Sequence, residues 1–172
     1  ANGGTNASTT VIDPETGEIR AMVGSVNYNN KKFGNVNMAT TARQPGSSFK
    51  PIYYSKAIED GVITPATVYE DKFTDFGNYT PQNASRSFYG NVTVRKALDW
   101  SLNIPSVMVL RDFGLNNGID AAKDYGITTI DNSTDYGLAY ALGVAEVPQT
   151  EMTNAYAAMA NGGVQYDISN VK

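Results

Sequence analysis

The segment Arg43-Gln44-Pro45-Gly46-Ser47-Ser48-Phe49-Lys50-Pro51 constrains this chain more than any other. Gln-Pro-Gly cannot readily continue a helix, whereas the residues that follow it can form one. Phe49, Ile52, Tyr53 and Ala57 recur at helical spacing, and Gly61 supplies a stop. The spacing therefore predicts Ser47 at the start of a helix, with Lys50 on the same face at i+3. A serine hydroxyl needs a base to take its proton, and the sequence holds no histidine, so a Ser-His-Asp arrangement is excluded by composition. Lys50 is the local base on offer. A helix N-terminus would also favour negative charge developing on Ser47 Oγ or on an attacked carbonyl. The plainer reading is a helix cap at Ser47 and a solvated charge at Lys50. Ser169-Asn170-Val171-Lys172 repeats S-x-x-K at the tail, so four residues do not decide the matter.

The length of 172 residues suits one domain with a sizeable core, and a net charge of −4 argues against nucleic-acid or anionic-membrane partners. No apolar run approaches the length of a membrane-spanning helix, and Ala1-Asn2-Gly3-Gly4 reads as neither signal peptide nor anchor. Without Cys or His the chain lacks thiol chemistry and the usual transition-metal ligands. With no D-x-D-x-D-G loop or HExxH helix either, neither a metal nor a cofactor is expected. The absence of cysteine fits an exported bacterial protein without disulfides. Asn-x-Ser/Thr triplets at Asn6, Asn78, Asn83, Asn91 and Asn132 are attributed to chance in an Asn- and Thr-rich chain.

Strands are expected at 8–12 and 18–23, joined by Asp13-Pro14-Glu15-Thr16-Gly17, where Pro14 suits a turn and Gly17 can take positive φ. A polar loop follows over 24–41, and an irregular stretch over 62–92. Helices dominate the remainder of a helical part spanning 48–163. Val94, Ala97, Leu98 and Ser101 fall on one face, which puts Ser101 on the apolar side as that helix ends. Pro105 opens a helix that Gly114 stops, and 119–125 forms a short helix closed by Gly126. Over 148–161, Met152, Ala155, Tyr156 and Met159 form an apolar stripe. Ser101-Leu102-Asn103 joins the two central helices. Its hydroxyl could relay a proton and its amide could bind a peptide group, although capping is the commoner task of both residue types. Ser25-Val26-Asn27 also matches S-x-N.

Taken in order, these blocks resemble the transpeptidase domain of class A penicillin-binding proteins. Residues 7–13 and 16–24 resemble its opening hairpin, and Arg43 to Pro51 its nucleophile helix. Tyr79-Thr80-Pro81-Gln82-Asn83, residues 90–98 and Ser101-Leu102-Asn103-Ile104-Pro105 resemble the region of its second motif. Residues 142–147 and 152–163 resemble a later helix. The resemblance implies a mixed α/β (α+β) fold of the serine β-lactamase/D,D-peptidase type, with helices on an antiparallel sheet whose C-terminal strands lie outside this chain. The whole of 1–172 would be the N-terminal portion of one such domain. It implies a D,D-transpeptidase acting on peptidoglycan stem peptides through an acyl-serine intermediate and acylated by β-lactams. Ser47 would be the nucleophile and supply one oxyanion donor, Lys50 the base, Ser101 the proton relay, and Asn103 the group that orients the acyl chain. It implies a location on the outer face of a bacterial membrane, in a membrane-anchored parent.

No Lys-Thr-Gly or Lys-Ser-Gly occurs in the sequence, although the family carries that third motif downstream. The motif is expected in a second polypeptide or in a segment of the same domain beyond these residues. Two other readings remain. A class A β-lactamase would need Glu-x-x-x-Asn, but Glu146 is followed at that spacing by Thr150 and Glu151 by Ala155. A β-lactam-binding or sensor module would use the same pocket without turnover.

Overall fold

A computed structural model describes residues 4–170, and the chain divides into two compact units. One comprises Ala1–Gln44, Lys123–Ile130 and Glu146–Lys172, and the other Pro45–Ala122 and Asp131–Ala145.

The first unit is built on the expected hairpin. Strands β1 (Thr9–Ile12) and β2 (Glu18–Val23) pair antiparallel, from Thr9 opposite Val23 to Ile12 opposite Ile19. The turn closes when the Gly17 N–H donates to Asp13 O at 2.9 Å, with Gly17 at φ +72°. Glycine is needed there twice over, because a Cβ would also lie 2.5 Å from the carbonyl oxygen of Asp167. The long helix of this unit runs over Gln149–Ala160 and packs on β1, where the Thr10 hydroxyl donates to Gln149 Oε1 at 3.2 Å. Its buried positions are Thr150, Met152, Asn154, Ala155 and Ala158. Tyr156, expected in the apolar stripe, is 41 % exposed, because Asn154 takes the inward place and donates to Tyr166 O at 2.8 Å. Residues Ser169–Asn170 add a short third strand, parallel to β2, that the sequence pattern did not announce. Ser169 of the second S-x-x-K lies in that strand, and Lys172 lies outside the described residues.

The second unit is organised around the helix Asn103–Phe113, in which every residue from Ile104 to Leu110 is buried. Four elements pack against it: the helices Lys50–Glu59 and Val94–Asp99, a 3₁₀ segment over Gly137–Leu142, and the strand Val68–Asp71. We label the helices in chain order α1 (Lys50–Glu59), α2 (Val94–Asp99), α3 (Asn103–Phe113), α4 (Leu115–Asp124) and α5 (Gln149–Ala160). The aromatic residues Phe49, Tyr53, Tyr54 and Tyr140 fill the space around α3. Phe49 meets Tyr140 edge-on with centroids 4.9 Å apart. The Tyr53 hydroxyl donates to Ser106 O and Ala141 O, at 3.3 and 3.1 Å, so these large side chains are buried without an orphaned polar group.

The stretch 62–92 is not irregular throughout. It holds strand β3 (Val68–Asp71), paired antiparallel with β4 (Gly90–Thr93), from Val68 opposite Thr93 to Asp71 opposite Gly90. Strands of four residues are too short to impose a period-2 pattern on the sequence, and the expectation of a loop missed them. Helix α4 likewise begins four residues before the expected 119, directly after the Gly114 stop.

Candidate active site

All four expected site residues lie in the second unit. Gly46–Phe49 forms a 3₁₀ turn that runs directly into α1, whose first residue is Lys50. With three residues per turn, positions 47 and 50 line up along the axis, so the S-x-x-K spacing aligns the two side chains. The turn is backed by glycine on both sides. Gly46 (φ +59°) donates its N–H to Gly143 O at 3.2 Å, and Gly143 (φ +70°) lies so close that a Cβ on it would collide with the Gly46 backbone. Ser47 is exposed and the cap position is taken by Pro45, so Ser47 is not the helix cap of the plainer reading. No hydrogen bond of its hydroxyl occurs among the described residues, and its N–H belongs to a first turn, whose amides lack intrahelical acceptors.

Lys50 is not a surface charge. It is 1 % exposed, and its amine sits in a cage of oxygens. Nζ donates to Ser101 O at 2.8 Å, Asn103 Oδ1 at 2.9 Å, and Ser101 Oγ and Leu102 O each at 3.2 Å. Burial lowers its pKa from the usual 10.5 to about 8.

The cage is the Ser101-Leu102-Asn103 link itself. Helix α2 ends at Asp99, and Ser101 then adopts φ +53°, one of only two non-glycine residues with positive φ among the described residues. Such a conformation costs about 1–3 kcal/mol and is retained where the surroundings determine it. In this conformation both oxygens of Ser101 reach the same nitrogen. Ser101 therefore lies beyond the helix on an exposed turn, in contrast to the expected place on the apolar side of α2. Leu102 is the cap of α3 and Asn103 its first residue. Neither polar side chain acts as a cap, because Asn103 spends its amide on Lys50 and, through Nδ2, on Gln82 O at 2.7 Å.

Ser47, Ser101 and Asn103 open on a cleft of about 420 Å³, with Tyr89 and Trp100 on its wall. These two rings meet edge-on at 5.3 Å, and Lys96 Nζ stands 4.1 Å from the centre of the Trp100 ring. This wall leaves no mark in the sequence, since isolated aromatics carry no period. Nor do the carbonyls of Ser101 and Leu102, which any residue type could supply.

The chain matches the penicillin-binding protein transpeptidase domain over residues 7–172. It belongs to that family. Among curated members of the penicillin-binding proteins, it is 34 % identical to protein 1C of Escherichia coli (strain K12) over 155 residues, 89 % of this chain and 20 % of that protein. It is 38 % identical to protein 2D of Bacillus subtilis (strain 168) over 160 residues, 88 % of this chain and 22 % of that one. The chain thus spans about a fifth of the length of these relatives. The crystal structure of penicillin-binding protein 1A from Haemophilus influenzae superposes with a TM-score of 0.80 at 28 % identity, covering 91 % of this chain and 23 % of that one. PonA1 from Mycobacterium tuberculosis, at 24 % identity, shares the fold with a TM-score of 0.82 over 94 % of this chain and 44 % of its own. The mixed α/β architecture of the penicillin-binding fold, expected from the resemblance, is the one found.

Proposed function

We propose that this chain carries the nucleophile and the proton-transfer groups of a peptidoglycan D,D-transpeptidase. One observation supports the reading above the others: a lysine amine buried in oxygens supplied by the S-x-N turn, in the same cleft wall as the S-x-x-K serine. Family membership and the hydrogen bonds of Lys50 to Ser101 and Asn103 support the roles proposed for Ser47, Lys50, Ser101 and Asn103.

In the proposed reaction, Ser47 Oγ attacks the carbonyl of the penultimate D-Ala of a stem peptide, and neutral Lys50 takes the hydroxyl proton. The Ser47 N–H donates to the oxyanion. The bond to the terminal D-Ala nitrogen breaks, and the proton returns from Lys50 by way of Ser101 to that leaving amine. An amine of a second stem peptide then attacks the acyl-serine; the ester bond to Ser47 Oγ breaks and the amine's proton passes through Lys50 to that oxygen, which completes the cross-link and frees Ser47. Asn103 holds the acyl chain with the Nδ2 hydrogen that is not donated to Gln82 O. A β-lactam would stop the cycle at the acyl-serine. The same reading assigns the domain to the outer face of the bacterial membrane, within a membrane-anchored parent. It assigns the third-motif residues to a polypeptide segment beyond the present sequence. Exposure to a reactive β-lactam followed by intact-mass measurement tests the proposal: one adduct should form, map to Ser47 and disappear in Ser47→Ala. An adduct that survives in Ser47→Ala or maps to Ser169 refutes it.

A further inference from the structure

Asp71, the last residue of β3, is a carboxylate with no solvent exposure and no ion-pair partner among the described residues. Its oxygens receive three hydrogen bonds. Asn83 Nδ2 donates to Oδ1 at 3.0 Å and to Oδ2 at 2.8 Å, and the Tyr89 N–H donates to Oδ2 at 2.9 Å. Every one of these contacts is donated to the carboxylate. Burying such a charge is costly unless donors are fixed around it.

The consequence lies one residue further on. With Nδ2 committed to Asp71 and to Ser87 O at 2.9 Å, the Asn83 amide has only one orientation, and Oδ1 faces the Asn103 N–H at 2.8 Å. Asn83 is itself buried. The adjacent Gln82 carbonyl takes the other end of Asn103 by accepting from its Nδ2. Backbone and side chain of Asn103 are therefore both held by residues 82–83, and Asn103 Oδ1 is left facing Lys50 Nζ at 2.9 Å. An unbroken line of hydrogen bonds runs from the Asp71 carboxylate to the Lys50 amine.

We propose that Asp71, acting through Asn83, is the positioning residue that fixes the start of α3 and with it the Lys50 amine. It touches neither the cleft nor the reacting atoms. Its role is to choose the orientation of one amide: a flipped Asn83 would point donors at the Asn103 N–H and an oxygen at the carboxylate. A misplacement near 1 Å at a reacting group costs on the order of 100-fold in rate, so orientation at this distance is sufficient to control acylation. The inference rests on the transpeptidase reading for its kinetic consequence, but not for its geometry.

The test compares Asp71→Asn, Asn83→Ala and the exchange Asp71→Asn/Asn83→Asp in the full chain. Asp71→Asn opposes donor to donor, whereas Asn83→Ala opens on the cleft and admits water beside the carboxylate. The exchange keeps volume and net charge and restores an acceptor facing the Asn103 N–H, while leaving Ser87 O without its donor. For folded protein, each single variant should lower the saturating rate of labelling by a fluorescent penicillin about 10–100-fold. The half-saturating concentration should change little, and the exchange should recover part of the rate. In 13C-lysine-labelled protein at pH 7, the Lys50 Cε resonance should move in both single variants and return in the exchange. A folded single variant that labels within about twofold of the original rate and leaves the Lys50 resonance in place overturns the proposal. A starting protein that is not labelled at Ser47 refutes the transpeptidase reading instead, and the Lys50 resonance then decides the positioning role by itself.

Discussion

The most direct consequence of the buried amine is a pH profile. With its pKa at about 8, Lys50 is neutral in about a tenth of molecules at pH 7. At the ordinary value of 10.5 the neutral fraction would be about one in three thousand. Burial therefore raises the population of usable base some ~300-fold at neutral pH, close to 3 kcal/mol of barrier if the base must be free before Ser47 is attacked. The rate of β-lactam acylation should rise about tenfold per pH unit from 5.5 to 7 and level off above about 8. Tyr53 and Tyr54 add no step in this range, because burial pushes both hydroxyls upward, Tyr54 to about 12. Stopped-flow measurement with a chromogenic cephalosporin, corrected for spontaneous hydrolysis, gives the profile. Lys50→Arg should lose about 10²–10⁴-fold and show no such limb, since guanidinium stays protonated throughout. A profile flat between pH 6 and 9, or acylation by the arginine variant at the original rate, would refute the assignment of Lys50 as the base.

Two further outcomes follow from the same region. Gly143→Ala should destabilise the chain by at least about 1–2 kcal/mol from its left-handed backbone alone. It should also slow acylation, because the added Cβ meets the backbone of Gly46 beside Ser47; unchanged melting and labelling would contradict this. Lys50→Met should alter the dependence of stability on pH. Below about 8 the lysine is protonated in both states and the folded state bears the full cost of burial, while between 8 and 10.5 only the unfolded chain keeps the proton. Stability of the original protein relative to Lys50→Met should therefore rise with pH across that window, by about 3 kcal/mol in all. Urea unfolding at pH 7, 8, 9 and 10 measures the difference, and a flat difference would show that Lys50 is not buried as a charge.

What could be read in the sequence was whatever a local rule governs. Pro14 and Gly17 dictate the hairpin turn, Gly61 and Gly114 end helices, and a lysine three residues after a serine aligns with it in any tight helix. What could not be read depends on tertiary neighbours. Nothing in Val68-Tyr69-Glu70-Asp71 marks it as a strand until Gly90–Thr93 lies beside it, and nothing marks Asp71 as buried until Asn83 faces it. Asn83 carried two signals at once. It stands in a glycosylation-like triplet and in a block resembling the family, and its burial beneath the S-x-N turn agrees with the second. Ser101 was misplaced because helical periodicity was extended past Asp99, where the chain departs from the helix into a left-handed residue.

The oxygen cage also bears on why position 101 holds a hydroxyl. A charged Lys50 has three N–H groups, and three of its four neighbours, the Ser101 and Leu102 carbonyls and Asn103 Oδ1, can only accept. The ammonium is thus fully matched, and this hydrogen bonding opposes the effect of burial. A neutral Lys50 has two N–H groups and a lone pair, so one acceptor-only oxygen loses its donor and the lone pair needs a donor of its own. Three of the four cannot reverse direction, but the Ser101 hydroxyl, 3.2 Å from Nζ, can turn from acceptor to donor. In the proposed cycle Ser101 is therefore the member of the cage that follows the lysine from one protonation state to the other, and it does so on the side open to the cleft. An alanine there would leave the carbonyl cage intact but remove the reversible partner. The relay function and the tolerance of the site for a neutral amine would then be lost together.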